Sequence, residues 1–185
     1  LAENIFGRRM SPHGLISVGI NVVADADWVD VKRKYNLPEE YLLYVGRIDK
    51  GKLNHIVQYF LHYKARYANS KLKFVLVGGL FSALVSHSDL IYTGFVSENE
   101  KYAIIRHAKI MVNPSKFESL SLILLEGMQL GKPMLVNGKC EVLKEHCSKS
   151  EKAALAYWNK NDFISKLASL ETSSELCREM GKKGK

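Results

Sequence analysis

The stretch "NPSKFESLSLILLEGMQLGKP", residues 113–133, is apolar at nearly every position from Leu120 to Leu130, yet Glu126 stands inside that run. A carboxylate in apolar surroundings is destabilising by several kcal/mol, in order of magnitude, unless donors or an opposite charge compensate it. Its residue type leaves three partners open: the vicinal hydroxyl pair of a ribose, a lysine or arginine elsewhere in the chain, or solvent. Glu118 comes eight positions earlier, where a Pro-Ser loop enters the same helix. It serves either as an acid at the positive end of the helix dipole, worth less than about 1 kcal/mol, or as a contact to a bound molecule.

A second group with chemical potential is "YVGRIDKGK", residues 44–52, in which Arg47, Lys50 and Lys52 follow a strand-ending Gly46. Neither a Walker A pattern nor GxGxxG is present, so this is not an ordinary triphosphate loop or a dinucleotide fingerprint. Alone it is equally a solvated basic turn. The apolar helix adds the second half of an anion site, because backbone amides near Ser119, Leu120 and Ser121 open it and have no intrahelical acceptors. An arginine fork, a lysine and a helix mouth leaving neighbouring strands can meet on one diphosphate and replace a divalent metal, so neither metal nor cofactor is expected.

The elements that must position these residues read as an alternation. Short β-rich runs fall at 41–46, 73–78, 89–94, 109–114, 132–136 and 154–158. Several are continuously apolar, as parallel strands covered on both faces are. Between them, Leu53, Ile56, Val57, Phe60, Leu61 and Tyr67 recur at helical spacing, and "SENE" from Ser97 to Glu100 forms a capping box. Further helices are expected over 159–170 and from Ser173 or Ser174 through Met180, with "GKKGK" as a frayed tail. The fold class is α/β: a six-stranded, doubly wound, Rossmann-like parallel sheet with helices on both faces. Residues 1–40 are expected to be a linker or packing arm, 41–171 the ligand-binding domain, and 172–185 a terminal helix and tail. In such a sheet the ligand lies beyond the carboxyl ends of the strands.

The spacing "FESLSLILLE" resembles the E-x7-E motif of group 1 (family 4) retaining glycosyltransferases of the GT-B fold. "YVGRIDKGK", "FVLVGG", "YTGFVSENE", "HAKIMVNPSKFES" and "EGMQLGKPMLV" follow in that family's order, most strongly over about 41–147. The resemblance implies the nucleotide-sugar-binding half of a two-domain enzyme that transfers a hexose, such as mannose or glucose, to a glycan or lipid-linked acceptor. It implies a UDP-, GDP- or ADP-linked donor. Arg47 and Lys52 would neutralise the diphosphate, the amides of Ser119, Leu120, Ser121 and Leu122 would cradle phosphate, and Glu126 would hold the ribose. Glu118 would contact the donor sugar, Gly46 and Gly78 would admit the ligand to the backbone, and Phe95 and Val96 would meet the base. Arg47, Lys52 and Glu118 are the catalytic candidates. The sequence departs from the family at Leu53, Ser121 and Asn21, where glycine, glycine and aspartate are usual. Lys52 is preferred to Lys50 on its spacing from Arg47. The family's N-terminal acceptor domain would precede residue 1, so the chain is expected to bind donor without transferring sugar alone.

Composition sets the other bounds. The chain has 185 residues and a net charge of +8, which is either a solvated lysine-rich surface or a preference for anionic partners: phosphates, nucleic acid or, by peripheral association, an acidic membrane surface. Basic residues are not clustered with exposed aromatics, so nucleic acid is not expected as a partner. Three cysteines without a CxxC pair suit a reducing cytosol, and Cys140, His146 and Cys147 lack a fourth metal ligand. The start "LAENIFGRRMSPHG" does not read as a signal peptide, and without an initial Met the chain is expected to come from something longer. The histidines, including His55 and His62 along one helix, are expected to be ordinary surface residues. A non-transferase GT-B relative, an epimerase or a phosphorylase, is the alternative reading, and a basic nucleic-acid-binding domain is the last.

Overall fold

The computed structural model describes residues 28–83, 85–149 and 153–184. The segment "SVGIN" and the rest of residues 1–27 lie outside the described residues. Six parallel strands form one sheet: β1 (Tyr41–Val45), β2 (Lys73–Val77), β3 (Leu90–Gly94), β4 (Ile110–Asn113), β5 (Met134–Asn137) and β6 (Ala154–Tyr157). Their order is β3-β2-β1-β4-β5-β6, so the chain reverses direction across the sheet between β1 and β4. The crevice outside the carboxyl ends of those two strands is where this architecture binds ligands.

The central strands are almost continuously apolar because both of their faces are covered. Leu42, Tyr44, Phe74 and Leu76 point into one cluster with Ile56, Phe60, Phe163 and Leu167. Their neighbours Tyr41, Leu43, Val75 and Val77 point into the other, with Tyr102, Ile104, Leu124 and Leu143. Helices α2 (Lys50–Arg66) and α6 (Lys160–Thr172) cover the first face. Helices α3 (Glu98–His107), α4 (Leu122–Gln129) and α5 (Glu141–Lys149) cover the second.

Local chemistry sets the helix starts. Asp49 caps α2 by accepting from the Lys52 amide at 2.8 Å. Ser97 and Glu100 close the expected capping box on α3, with bonds of 3.3 and 2.8 Å. Helix α1 (Trp28–Lys34) falls within residues 1–40 and docks on α3, with Val31 in the core and Lys34 Nζ 2.6 Å from Glu100.

Helix α7 (Ser174–Gly184) runs past Met180, so the "GKK" expected to fray is helical. Glycine disfavours a helix, but here it permits contact: a Cβ on Gly181 would stand 2.3 Å from the Gly131 carbonyl, and one on Gly184 3.1 Å from that of Met128. No helix among the described residues is long and apolar enough to cross a membrane.

Candidate functional site

The β1–α2 loop is wired internally. The Tyr44 hydroxyl donates to the Arg47 carbonyl at 2.9 Å, and Arg47 Nε donates to Asp49 Oδ2 at 2.9 Å. The Lys52 amide and then the Arg47 guanidinium hold the Asp49 carboxyl below its usual range. Asp49 thus caps the helix and orients the arginine. Arg47 remains 64% exposed, and its terminal nitrogens make no hydrogen bond among the described residues. Lys52 lines a cavity of about 430 Å³ with Arg47, His55, Pro114, Ser115 and Phe117. The exposed Lys50 lies outside that wall, its amide donating to Ser82 Oγ at 2.7 Å.

The β4–α4 loop forms the opposite wall. Asn113 donates to Ser121 Oγ at 2.9 Å and accepts from the Ser115 amide at 3.0 Å, while Asn137 donates to the Pro114 carbonyl at 3.1 Å. These buried bonds make Ser121 the cap of α4, its Oγ accepting from Leu124 N and its carbonyl from Leu125 N. The helix therefore begins at Leu122, later than expected. Ser119 and Leu120 are exposed loop residues, and the amides of Leu122 and Ile123 are the first-turn donors left over. Glu118 lines an adjoining cavity of about 530 Å³ with Ser119, Lys139 and Glu141. Burial, then the charges of Asp49 and Glu118, raise the Tyr44 hydroxyl's pKa, which puts Glu118 within electrostatic reach of the β1–α2 loop.

On the other side of Arg47 lies a third cavity, of about 360 Å³, walled by Gly46, Gly78, Phe81, Phe95, Val96 and Lys101. Gly78 is required here: its φ is +137°, and a Cβ would fall 2.0 Å from the Gly46 carbonyl. Phe81 and Phe95 are 66% and 79% exposed, so two aromatic faces stand open beside the guanidinium. Arg47 Cζ lies 5.7 Å from the Phe81 ring centre.

Glu126 has a basic partner. Its Oε1 accepts from Lys101 Nζ at 2.9 Å and from the Tyr102 hydroxyl at 3.1 Å, and both side chains come from α3. Lys101 also binds Glu98 at 2.8 Å, and the two carboxylates outweigh the effect of burial to raise the lysine's pKa. Of the three partners open to Glu126 on sequence alone, lysine is the one present. Oε2 makes no hydrogen bond among the described residues. Lys101 lies between this carboxylate and the third cavity.

His55 does not sit on the exposed edge of α2. It is half-buried, lines the first cavity, and is held below the ordinary imidazole pKa by burial and then by Lys116 and Lys139. Its spacing three residues after Lys52 on one helix was the signal that could have found it. Among the described residues no three His, Cys, Asp or Glu side chains group as a metal site.

Cations and helix amides stand together at the switch point of a doubly wound parallel sheet, the place where this architecture takes ligands. The chain belongs to the glycosyl transferases group 1, whose sequence model matches residues 29–185. Solved structures share the fold. WaaG, a glycosyltransferase involved in lipopolysaccharide biosynthesis, superposes with a TM-score of 0.67 at 16% identity, over 84% of this chain and 45% of its own. The C-terminal domain of the group 1 protein LpcC from Francisella tularensis gives 0.66 at 17%, over 85% and 89%. A putative UDP-N-acetylglucosamine 2-epimerase from Listeria monocytogenes gives 0.61 at 13%, over 88% and 44%. The chain thus spans less than half the length of WaaG and of the epimerase but nearly all of the isolated LpcC domain. No curated protein matches the sequence.

Proposed function

We propose that this chain is the donor-binding half of a retaining hexosyltransferase that uses a UDP-, GDP- or ADP-linked sugar and a glycan or lipid-linked acceptor. The observation that carries the reading is the shared cavity between Arg47 and Lys52 on one wall and the β4–α4 loop on the other. The diphosphate lies there, its charge met by Arg47, Lys52 and the amides at the mouth of α4. The base occupies the cavity beside Gly78, Phe95 and Val96, and Glu118 faces the sugar beyond the diphosphate. The ribose hydroxyls donate to Glu126 at Oε2, since Oε1 already serves Lys101 and Tyr102.

Cleavage of the bond between the anomeric carbon and the diphosphate builds negative charge on the leaving group. Fixed cations that meet this charge as it develops lower the barrier, so no divalent metal is required. A preceding acceptor-binding domain completes the enzyme, which works at the cytoplasmic face of a membrane, and the isolated chain turns nothing over. A thermal-shift screen of UDP, GDP and ADP tests the reading, because a ligand at 100 Kd stabilises the fold by about 2.7 kcal/mol. One diphosphate should raise the melting temperature well above the others. A screen in which none does so contradicts the proposal.

A further inference from the structure

His55 Nε2, Ser115 Oγ and the Tyr157 hydroxyl are buried and make no hydrogen bond among the described residues. Buried polar groups are nearly always satisfied, so three in one place call for an occupant. All three line connected space. Ser115 and His55 face the 430 Å³ cavity, and His55 continues into a smaller hollow of about 130 Å³ with Lys116, Asn137, Lys139 and Tyr157. Tyr157 is only 2% exposed, so its hydroxyl has little access to bulk water.

The chemistry of the hollow is one-sided. Lys116 and Lys139 form no ion pair among the described residues, and no acidic side chain lines the hollow. Asn137 fixes both loops, accepting from the Lys139 amide at 3.1 Å while donating to the Pro114 carbonyl at 3.1 Å. Burial, then Lys116 and Lys139, disfavour the charged form of the imidazole. Two lysines, a phenol and an imidazole therefore line a hollow with no acidic side chain in its own wall, while Glu118 and Glu141 share the adjoining cavity with the same two lysines.

We propose that this hollow is a second anion subsite, distinct from that of the diphosphate, which takes a phosphate or carboxylate group. Its place along the sheet indicates what bears the group, and this step rests on the nucleotide-sugar reading. The apolar cavity lies over β1 to β3, the diphosphate cavity between β1 and β4, and the hollow over β4 to β6. A ligand with its base over β2 reaches the hollow only with what lies past the diphosphate. The charge is therefore carried by the transferred sugar, as in a uronic acid, or by a phosphorylated acceptor.

The test is calorimetric titration of inorganic phosphate into the protein already saturated with its best nucleoside diphosphate. One phosphate should bind, about tenfold more weakly in Lys139→Ala and severalfold more weakly in Tyr157→Phe, as expected for loss of charged and neutral hydrogen bonds. Tyr157→Phe should also raise the melting temperature, because it removes an unsatisfied hydroxyl. A second arm compares the glucuronate and glucose esters of that same nucleoside diphosphate. A glucuronate preference that Lys139→Ala abolishes puts the charge on the sugar, and no preference puts it on the acceptor. Absence of phosphate binding to the saturated protein, or affinities unchanged in both variants, overturns the subsite. Phosphate binding that needs Lys139 in a protein that binds no nucleotide leaves the subsite standing and removes the nucleotide reading.

Discussion

Glu126 and Lys101 make the sharpest prediction, because the structure gives each a different set of remaining partners. Both side chains are mostly buried, at 11% and 14% exposure. Breaking a fully buried pair is destabilising by about 3–5 kcal/mol, and an exposed pair is worth about 0–1 kcal/mol. Lys101→Met leaves the carboxylate with only the neutral Tyr102 hydroxyl, an expected loss of about 2–3 kcal/mol between those limits. Glu126→Gln leaves Lys101 paired with Glu98 and keeps an acceptor at the same place, an expected loss of about 1–2 kcal/mol. The double variant should be less destabilised than the sum, by about 1–2 kcal/mol. Urea denaturation of the four proteins measures all three quantities. The same proteins test the ribose contact: wild type should prefer a nucleoside diphosphate over its 2′-deoxy form by about tenfold, and Glu126→Gln by less than about twofold. Additive losses, or Glu126→Gln proving the more damaging to stability, would refute the ion-pair reasoning. Equal 2′-hydroxyl discrimination in wild type and Glu126→Gln would refute the ribose contact.

Gly78→Ala must place its Cβ 2.0 Å from the Gly46 carbonyl at a φ of +137°, so a loss of about 3 kcal/mol or more is expected in the unfolding free energy from urea denaturation. A loss below about 1 kcal/mol would contradict that geometry. Glu100 is held down to about 2 from a usual 4.5, first by Lys34 and then by the Ser97 amide. A depressed carboxyl stabilises the fold above its unfolded value and loses that contribution as pH falls through its folded value. The melting-temperature advantage of wild type over Glu100→Gln should therefore be full above about pH 5 and shrink toward pH 2; an advantage that does not change with pH refutes it.

Much of the scaffold was legible because its signals are local. Both faces of β1 and β2 are buried, so the continuous apolar runs at 41–46 and 73–78 marked parallel strands, and Ser97 with Glu100 marked the start of α3. The misreadings share a cause: contacts between distant residues. Ser121 caps α4 because buried Asn113 holds its hydroxyl from eight positions away, whereas the sequence reading put the amides of Ser119 and Leu120 already in the first turn. Helix α7 continues through glycines because Gly181 meets Gly131. The lysine that answers Glu126 lies 25 positions earlier on another helix, and nothing in the periodicity of either pairs them. His55 was set aside as a surface residue, yet Lys116 and Lys139 from two other loops enclose it.

The central claim is that one pyrophosphate is held between Arg47, Lys52 and the mouth of α4. Calorimetry of a matched nucleoside diphosphate and monophosphate against wild type, Arg47→Ala, Lys52→Ala and Lys50→Ala tests it most directly. The diphosphate should bind wild type at least about tenfold more tightly than the monophosphate, and Arg47→Ala and Lys52→Ala should each lose most of that preference. Lys50→Ala should keep it. Diphosphate affinity that is unchanged in both Arg47→Ala and Lys52→Ala would contradict the account.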